Sequence, residues 1–204
     1  MSRKKSKNRS PKKHNYILFV EGFTERNYFQ ALFQLYRISF AKVIKIEGSG
    51  QNWVEKSLNN LKNNRRSLNY DSDTKVYVIF DKDDICSEQI DKMQEIISKK
   101  KINLQLGISN CSFEVWLLAH YIEMTSVQIG IRKTFQKDLQ KKLTAYLKEE
   151  YSKNKKKNVK QIQKILNNDR NRVNIAIENV RHISGFKEGS QSTDIGRIVS
   201  DIIS

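Results

Sequence analysis

Proline is almost missing from this chain, with only Pro11 among 204 residues, and glycine is sparse at eight. So few chain breakers suit a helix-rich, compact domain rather than one divided by Pro/Gly linkers. Cysteine is scarce as well. Cys86 and Cys111 offer neither a disulfide framework nor metal-ligand spacing. Both thiols are expected free, in a reducing cytoplasm. No stretch approaches the ~20 apolar residues of a membrane span. The basic start is not followed by an apolar segment, so no signal peptide is expected. A Gly-rich phosphate loop of the G-x-x-x-x-G-K type is absent, which disfavours phosphotransfer on small nucleotides. Acid is in short supply too, with 22 Asp and Glu against 38 Lys and Arg, a net charge of +16.

Seven of those positive charges crowd residues 1–13, where no acid occurs, and this stretch reads as a disordered basic arm. Taking seven from sixteen leaves a body at +9. Such a body suggests a polyanionic partner, most simply nucleic acid. Lys153 to Lys160 adds five lysines without an acid, and Lys155, Lys156 and Lys157 are candidate phosphate contacts.

The chain is organised around Val76-Tyr77-Val78-Ile79-Phe80, an unbroken apolar run that stops abruptly at Asp81-Lys82-Asp83-Asp84. A short run rich in β-branched and aromatic residues reads as a strand buried on both faces, as in a helix-covered parallel sheet. Tyr16 to Val20 repeats the design and ends in Glu21-Gly22. Lys42 to Ile46 and Ile102 to Ile108 read as further strands, the last ending at Ser109-Asn110. Helical spacing places helices after Thr24, over Gln51 to Leu68 and from Ser87 to about Lys100. The β-α-β-α-β-α-β order predicts an α/β fold with a parallel sheet of about four strands. Residues 14–125 form this α/β domain. Residues 126–204 read as a basic helical extension packed on it.

Functional groups in open α/β sheets gather at the carboxyl ends of the strands. Asp81 and Asp83 are two apart on an extended chain, so both carboxylates face one spot and make a Mg²⁺ or Mn²⁺ site. The plainer alternative is a polar turn into the next helix. Glu21 is either a further ligand or a general acid or base, against the alternative of an acid placed near a helix start. Glu114 opens an otherwise apolar helix, where an unpaired buried carboxylate would be costly. Ligation or a structural ion pair would each resolve that cost. His120 lies about 120° around the same helix from Glu114. It is either a satisfied core histidine or a catalytic one. Lys82, Ser109 and Asn110 are candidate phosphate contacts, and the last two are equally suited to capping a helix. Glu25 and Arg26 read as a solvated helix face, or at most as phosphate-side contacts.

Three blocks carry a resemblance: Val20 to Phe29, Phe80 to Asp84, and Ser109 to His120. Their order and spacing resemble the RloB-like (AbiLii-like) family, related to the Toprim domain of topoisomerases, primases and OLD-family nucleases. The family pattern has a proline where this chain has Cys111 and a leucine where it has Ala119. Neither difference touches a proposed ligand. The resemblance implies a Toprim-like fold and a metal-dependent nuclease that cleaves nucleic-acid phosphodiesters in phage defence, often encoded beside an ATPase. It implies Glu21, Asp81, Asp83 and Glu114 as catalytic and metal-binding residues. The alternatives are a structured-RNA maturation ribonuclease and a non-catalytic nucleic-acid-binding or ATPase-partner module.

Overall fold

A computed structural model describes residues 14–47, 52–82, 85–100 and 102–204. The basic arm, Asp83 and Asp84 lie outside the described residues. The apolar runs form strands where periodicity places them: β1 (Tyr16–Val20), β2 (Ala41–Lys45), β3 (Lys75–Asp81) and β4 (Leu104–Asn110). Between them lie α1 (Phe23–Tyr36), α2 (Trp53–Asn63), α3 (Arg65–Leu68) and α4 (Ser87–Lys100). After β4 come α5 (Glu114–Leu118), α6 (Arg132–Leu147), α7 (Lys155–Leu166), α8 (Arg170–Asn179), β5 (Ser192–Thr193) and α9 (Ile195–Ile203). The helix expected over residues 51–68 is broken into α2 and α3 at Asn64. Helix α1 begins after Gly22, not at Thr24, which is buried as the second residue of the helix.

The sheet order is β2-β1-β3-β4-β5, parallel except for the final pair. Chain direction across the sheet reverses after β2, because β3 adds on the far side of β1. The helices leaving β1 and β3 therefore diverge and open a crevice at the carboxyl ends of those two strands. The fifth strand exceeds the four expected. Thr193 also caps the last helix, its Oγ1 accepting a hydrogen bond from the Ile195 N–H at 3.3 Å. Two residues are too few to show a strand's alternation.

Alternation sorts the strand side chains into two cores. Ile17, Phe19, Val76, Val78 and Phe80 face α2 and α4 in one apolar cluster. Leu18, Val20, Tyr77 and Ile79 face the other, with Tyr28, Phe29 and Leu32 of α1, the whole of α5 after Glu114, and α6 to α9. Asp81 continues the Tyr77, Ile79 alternation. The pleat thus aims its carboxylate at the side occupied by α1 and α5. Residues 126–204 are tied to the sheet through β5 and α9. Gly107 permits the α9 contact, since a Cβ there would lie 2.4 Å from Ile198 Cδ1. No helix among the described residues is long and apolar enough to cross a membrane.

Candidate active site

Four carboxylates converge at the crevice. Glu21 follows β1, Asp81 ends β3, Glu25 lies in the first turn of α1 and Glu114 opens α5. The Asp81 N–H donates to Glu21 Oε2 at 3.1 Å, which joins the two strand ends. Glu25 is 6% exposed and Glu114 1%. Gly22 makes room for Glu25, because a Cβ on Gly22 would sit 2.4 Å from Glu25 Oε2. Among the described residues, one oxygen of each buried glutamate, Glu25 Oε2 and Glu114 Oε2, has no hydrogen-bond partner.

The electrostatics follow from burial and mutual repulsion. Burial, and then the Glu25, Glu114 and Glu21 charges, push the Asp81 carboxyl well above the ordinary carboxylate range. Burial lifts Glu25 to about 7, helped by Glu114 and Glu21. Glu21 is raised mainly by burial, against the pull of the Asp81 N–H, Lys153, Arg132 and Lys45. Burial and mutual repulsion thus favour the protonated forms of Asp81, Glu25 and Glu21 unless a cation compensates.

The chain supplies part of that compensation. Lys153 Nζ lies 2.9 Å from Glu114 Oε1, and Tyr151 Oη donates to the same oxygen at 3.0 Å. Burial works against the Lys153 ammonium, but Glu114, Asp81 and Glu25 outweigh it and hold its pKa above the usual value. Arg132, first residue of α6, acts on Asp81 and Glu21. Lys153 and Tyr151 arrive on a turn between α6 and α7 whose backbone is clasped from α7. Gln161 accepts from the Ser152 N–H and donates to the Glu150 carbonyl. Asn158 donates to the Ser152 carbonyl and accepts from Asn27 of α1.

The expected phosphate contacts scatter. Ser109 Oγ bonds Thr193 Oγ1 at 3.0 Å, and Asn110 Nδ2 donates to the Lys187 and Ser190 carbonyls. Both side chains hold β5 and its preceding loop against β4. Lys82 reaches Glu188 at 3.5 Å and lies over the Phe186 ring. Lys155, Lys156 and Lys157 form the exposed first turn of α7. His120 is a core histidine: Nε2 meets Tyr28 Oη at 3.2 Å and Nδ1 meets the Trp116 carbonyl at 3.1 Å. Burial lowers its pKa to about 4, which keeps the ring neutral. Asp83 lies outside the described residues.

Glu25 departs most from the sequence reading. It was expected on a solvated face and is instead part of the cluster. The signal was present, because Glu25, Tyr28, Phe29 and Leu32 follow the i, i+3, i+4, i+7 pattern of the buried stripe. Lys153, Tyr151 and Arg132 gave no comparable signal.

The family model for RloB-like proteins matches residues 16–202. The chain belongs to the RloB-like family. No curated protein and no solved structure matches it. The matched span of this RloB-like protein includes all four clustered acids together with Arg132, Tyr151 and Lys153.

Among the described residues no three His, Cys, Asp or Glu side chains stand close enough to hold one metal ion together. The donor chemistry nevertheless suits a hard divalent cation. All four groups are carboxylates, and two buried oxygens lack partners.

Proposed function

We propose that this RloB-like protein is a divalent-metal-dependent nuclease of Toprim type, with its active centre at the Glu21, Glu25, Asp81 and Glu114 cluster. The observation that carries the reading is the pair of buried carboxylate oxygens without partners, Glu25 Oε2 and Glu114 Oε2, among acids already raised by burial and repulsion. A folded protein retains such a cost where function requires it. In this reading Glu21, Glu25, Asp81 and Glu114 would hold Mg²⁺ or Mn²⁺ with one or two carboxylates to an ion and water completing its shell, and Asp83 is assigned with them from the sequence.

The ion, when bound, supplies an activated water and a Lewis acid for the phosphoryl oxygen. The remaining work falls to the chain. Without a cation, burial and the neighbouring acids raise Glu25 to about 7, so near neutral pH it can carry a proton in the crevice. Lys153 and Arg132 place positive charge where phosphate charge develops in the transition state. The Asp81 N–H fixes Glu21 in orientation. A net charge of +16 draws the polyanionic substrate toward the crevice. Phage defence, a cytoplasmic setting and an ATPase encoded alongside belong to the same proposal and rest on the family.

The test is a panel of plasmid, single-stranded DNA and tRNA incubated with Mg²⁺, Mn²⁺ or EDTA. Cleavage is expected with metal and lost with EDTA or in Asp81→Ala. Undiminished cleavage by Asp81→Ala overturns the assignment. A second reading, a non-catalytic nucleic-acid-binding module, draws on Lys153, which already neutralises one oxygen of Glu114. It expects salt-sensitive binding to the panel and no cleavage with either metal.

A further inference from the structure

The rim of the cluster holds an aromatic ring that neither core uses. Phe23, first residue of α1, is partly exposed and belongs to neither apolar cluster. Its close neighbours are two ammonium groups: Lys45 Nζ lies over the ring 5.2 Å from the centroid, and Lys155 Nζ at 5.3 Å. Both positions are built by the fold. Lys45 ends β2 in register with Val20, one residue before Glu21, and its charge acts on Glu21. Lys155 is seated on α1 because its carbonyl accepts from Asn27 Nδ2, one turn beyond Phe23. Glu25, two residues along, points into the acid cluster.

We propose that Phe23 with Lys45 and Lys155 forms a seat for one unpaired base and its flanking phosphates, so that the site takes single-stranded or looped nucleic acid in preference to continuous duplex. The proposal rests on the nuclease reading and names its substrate class. Exposed cation–π pairs are weak, and a lysine on a flexible stem readily leaves a ring for a phosphate. The vacated face then accepts a base by stacking, which tolerates any sequence. Bases inside a duplex are already stacked on both sides and present no free face. The two lysines would meet phosphates on either side of the seated base, next to the carboxylates proposed to act on the strand.

The test measures binding rather than cleavage. Fluorescence anisotropy in EDTA follows a short DNA oligonucleotide, the RNA of the same sequence, and the DNA duplex, each with the full-length Asp81→Ala protein. The parent protein should favour the single strands. Adding Phe23→Ala should weaken single-strand binding about tenfold, the size of one lost stacking contact, with duplex affinity within about twofold. Phe23→Leu retains apolar bulk but offers no π face and should show the same loss. Phe23→Trp should restore binding. Stronger binding by the DNA or the RNA strand identifies the sugar that the site prefers. Full single-strand affinity in Phe23→Leu, or an equal loss on duplex, overturns the seat. The two readings fail separately: a selective Phe23 effect in a protein that cleaves nothing with metal sinks only the nuclease, whereas metal-dependent cleavage without a Phe23 effect sinks only the seat.

Discussion

The two ends of the same parallel sheet treat their acids in opposite ways. At the amino end, Asp201 of α9 pairs with Lys75 at 2.7 Å through one oxygen and accepts from Tyr77 Oη through the other. Burial works against this carboxylate, yet those two partners outweigh it and bring its pKa below the ordinary value. At the carboxyl end, Glu25 and Glu114 each leave an oxygen unpartnered, and Glu25 rises to about 7. Fully partnered acids lock a helix to a sheet. Acids left short of partners store repulsion that only a proton or a cation relieves.

The sharpest way to break this contrast is to compare charge removal at each end. Asp81→Ala should lower cleavage at least a hundredfold, the scale of a lost catalytic group. Asp201→Asn should leave the rate within a few-fold of wild type. Equal losses would mean that the two ends share one structural role. Glu114→Gln offers a finer version: a loss of about two decades in cleavage with little change in melting temperature. If activity persists while the melting temperature falls, Glu114 is only the partner of Lys153 and Tyr151.

Next in size is the pH dependence of stability without metal. Glu25 titrates near 7 in the fold and from 4.5 as its ordinary value. Its folded pKa is raised, so the protonated fold is favoured. That stabilisation is complete below about pH 4.5 and is lost as pH rises through 7, on the order of 3 kcal/mol. Urea melts across this range should show the decline, and Glu25→Gln should flatten it. Asp201 has the opposite sign. Its lowered pKa stabilises the fold above 3.8 and loses that effect as pH falls through the folded value. Asp201→Asn should cost stability at neutral pH, about 1 kcal/mol or less for a pair this exposed.

A smaller effect is expected from metal itself. Millimolar Mg²⁺ or Mn²⁺ should raise the melting temperature by a few degrees, through binding to the native state alone. Asp81→Ala should lose the response. The same shift in both proteins would place the binding elsewhere.

The sheet was legible because its strands are continuous apolar runs that end in acids, as in Val76 to Asp81. Asp81, Glu21 and Glu114 followed from that rule together with the family blocks. Glu25 followed the helical stripe, but its charge argued for solvent, and composition outweighed periodicity. Ser109 and Asn110 sit at a strand end, where phosphate contacts are expected, yet the short β5 claims both. Lys153 lies 72 residues from Asp81 in a lysine-rich run that looks like solvated surface. Only the packing of α7 against α1 carries it to Glu114, and no local pattern encodes a pairing at that separation.

The clasped turn before α7 also bears on how fast the site can respond. With Ser152 and Glu150 tied to Gln161, and Asn158 tied to Asn27, the backbone carrying Lys153 is held in place. Its ammonium, on a half-exposed side chain, then leaves Glu114 by rotation about its own bonds. Such rotations take picoseconds to nanoseconds, whereas loops and domains that swing open need microseconds or longer. A cation or phosphate reaching the crevice would have one side chain to displace rather than a loop.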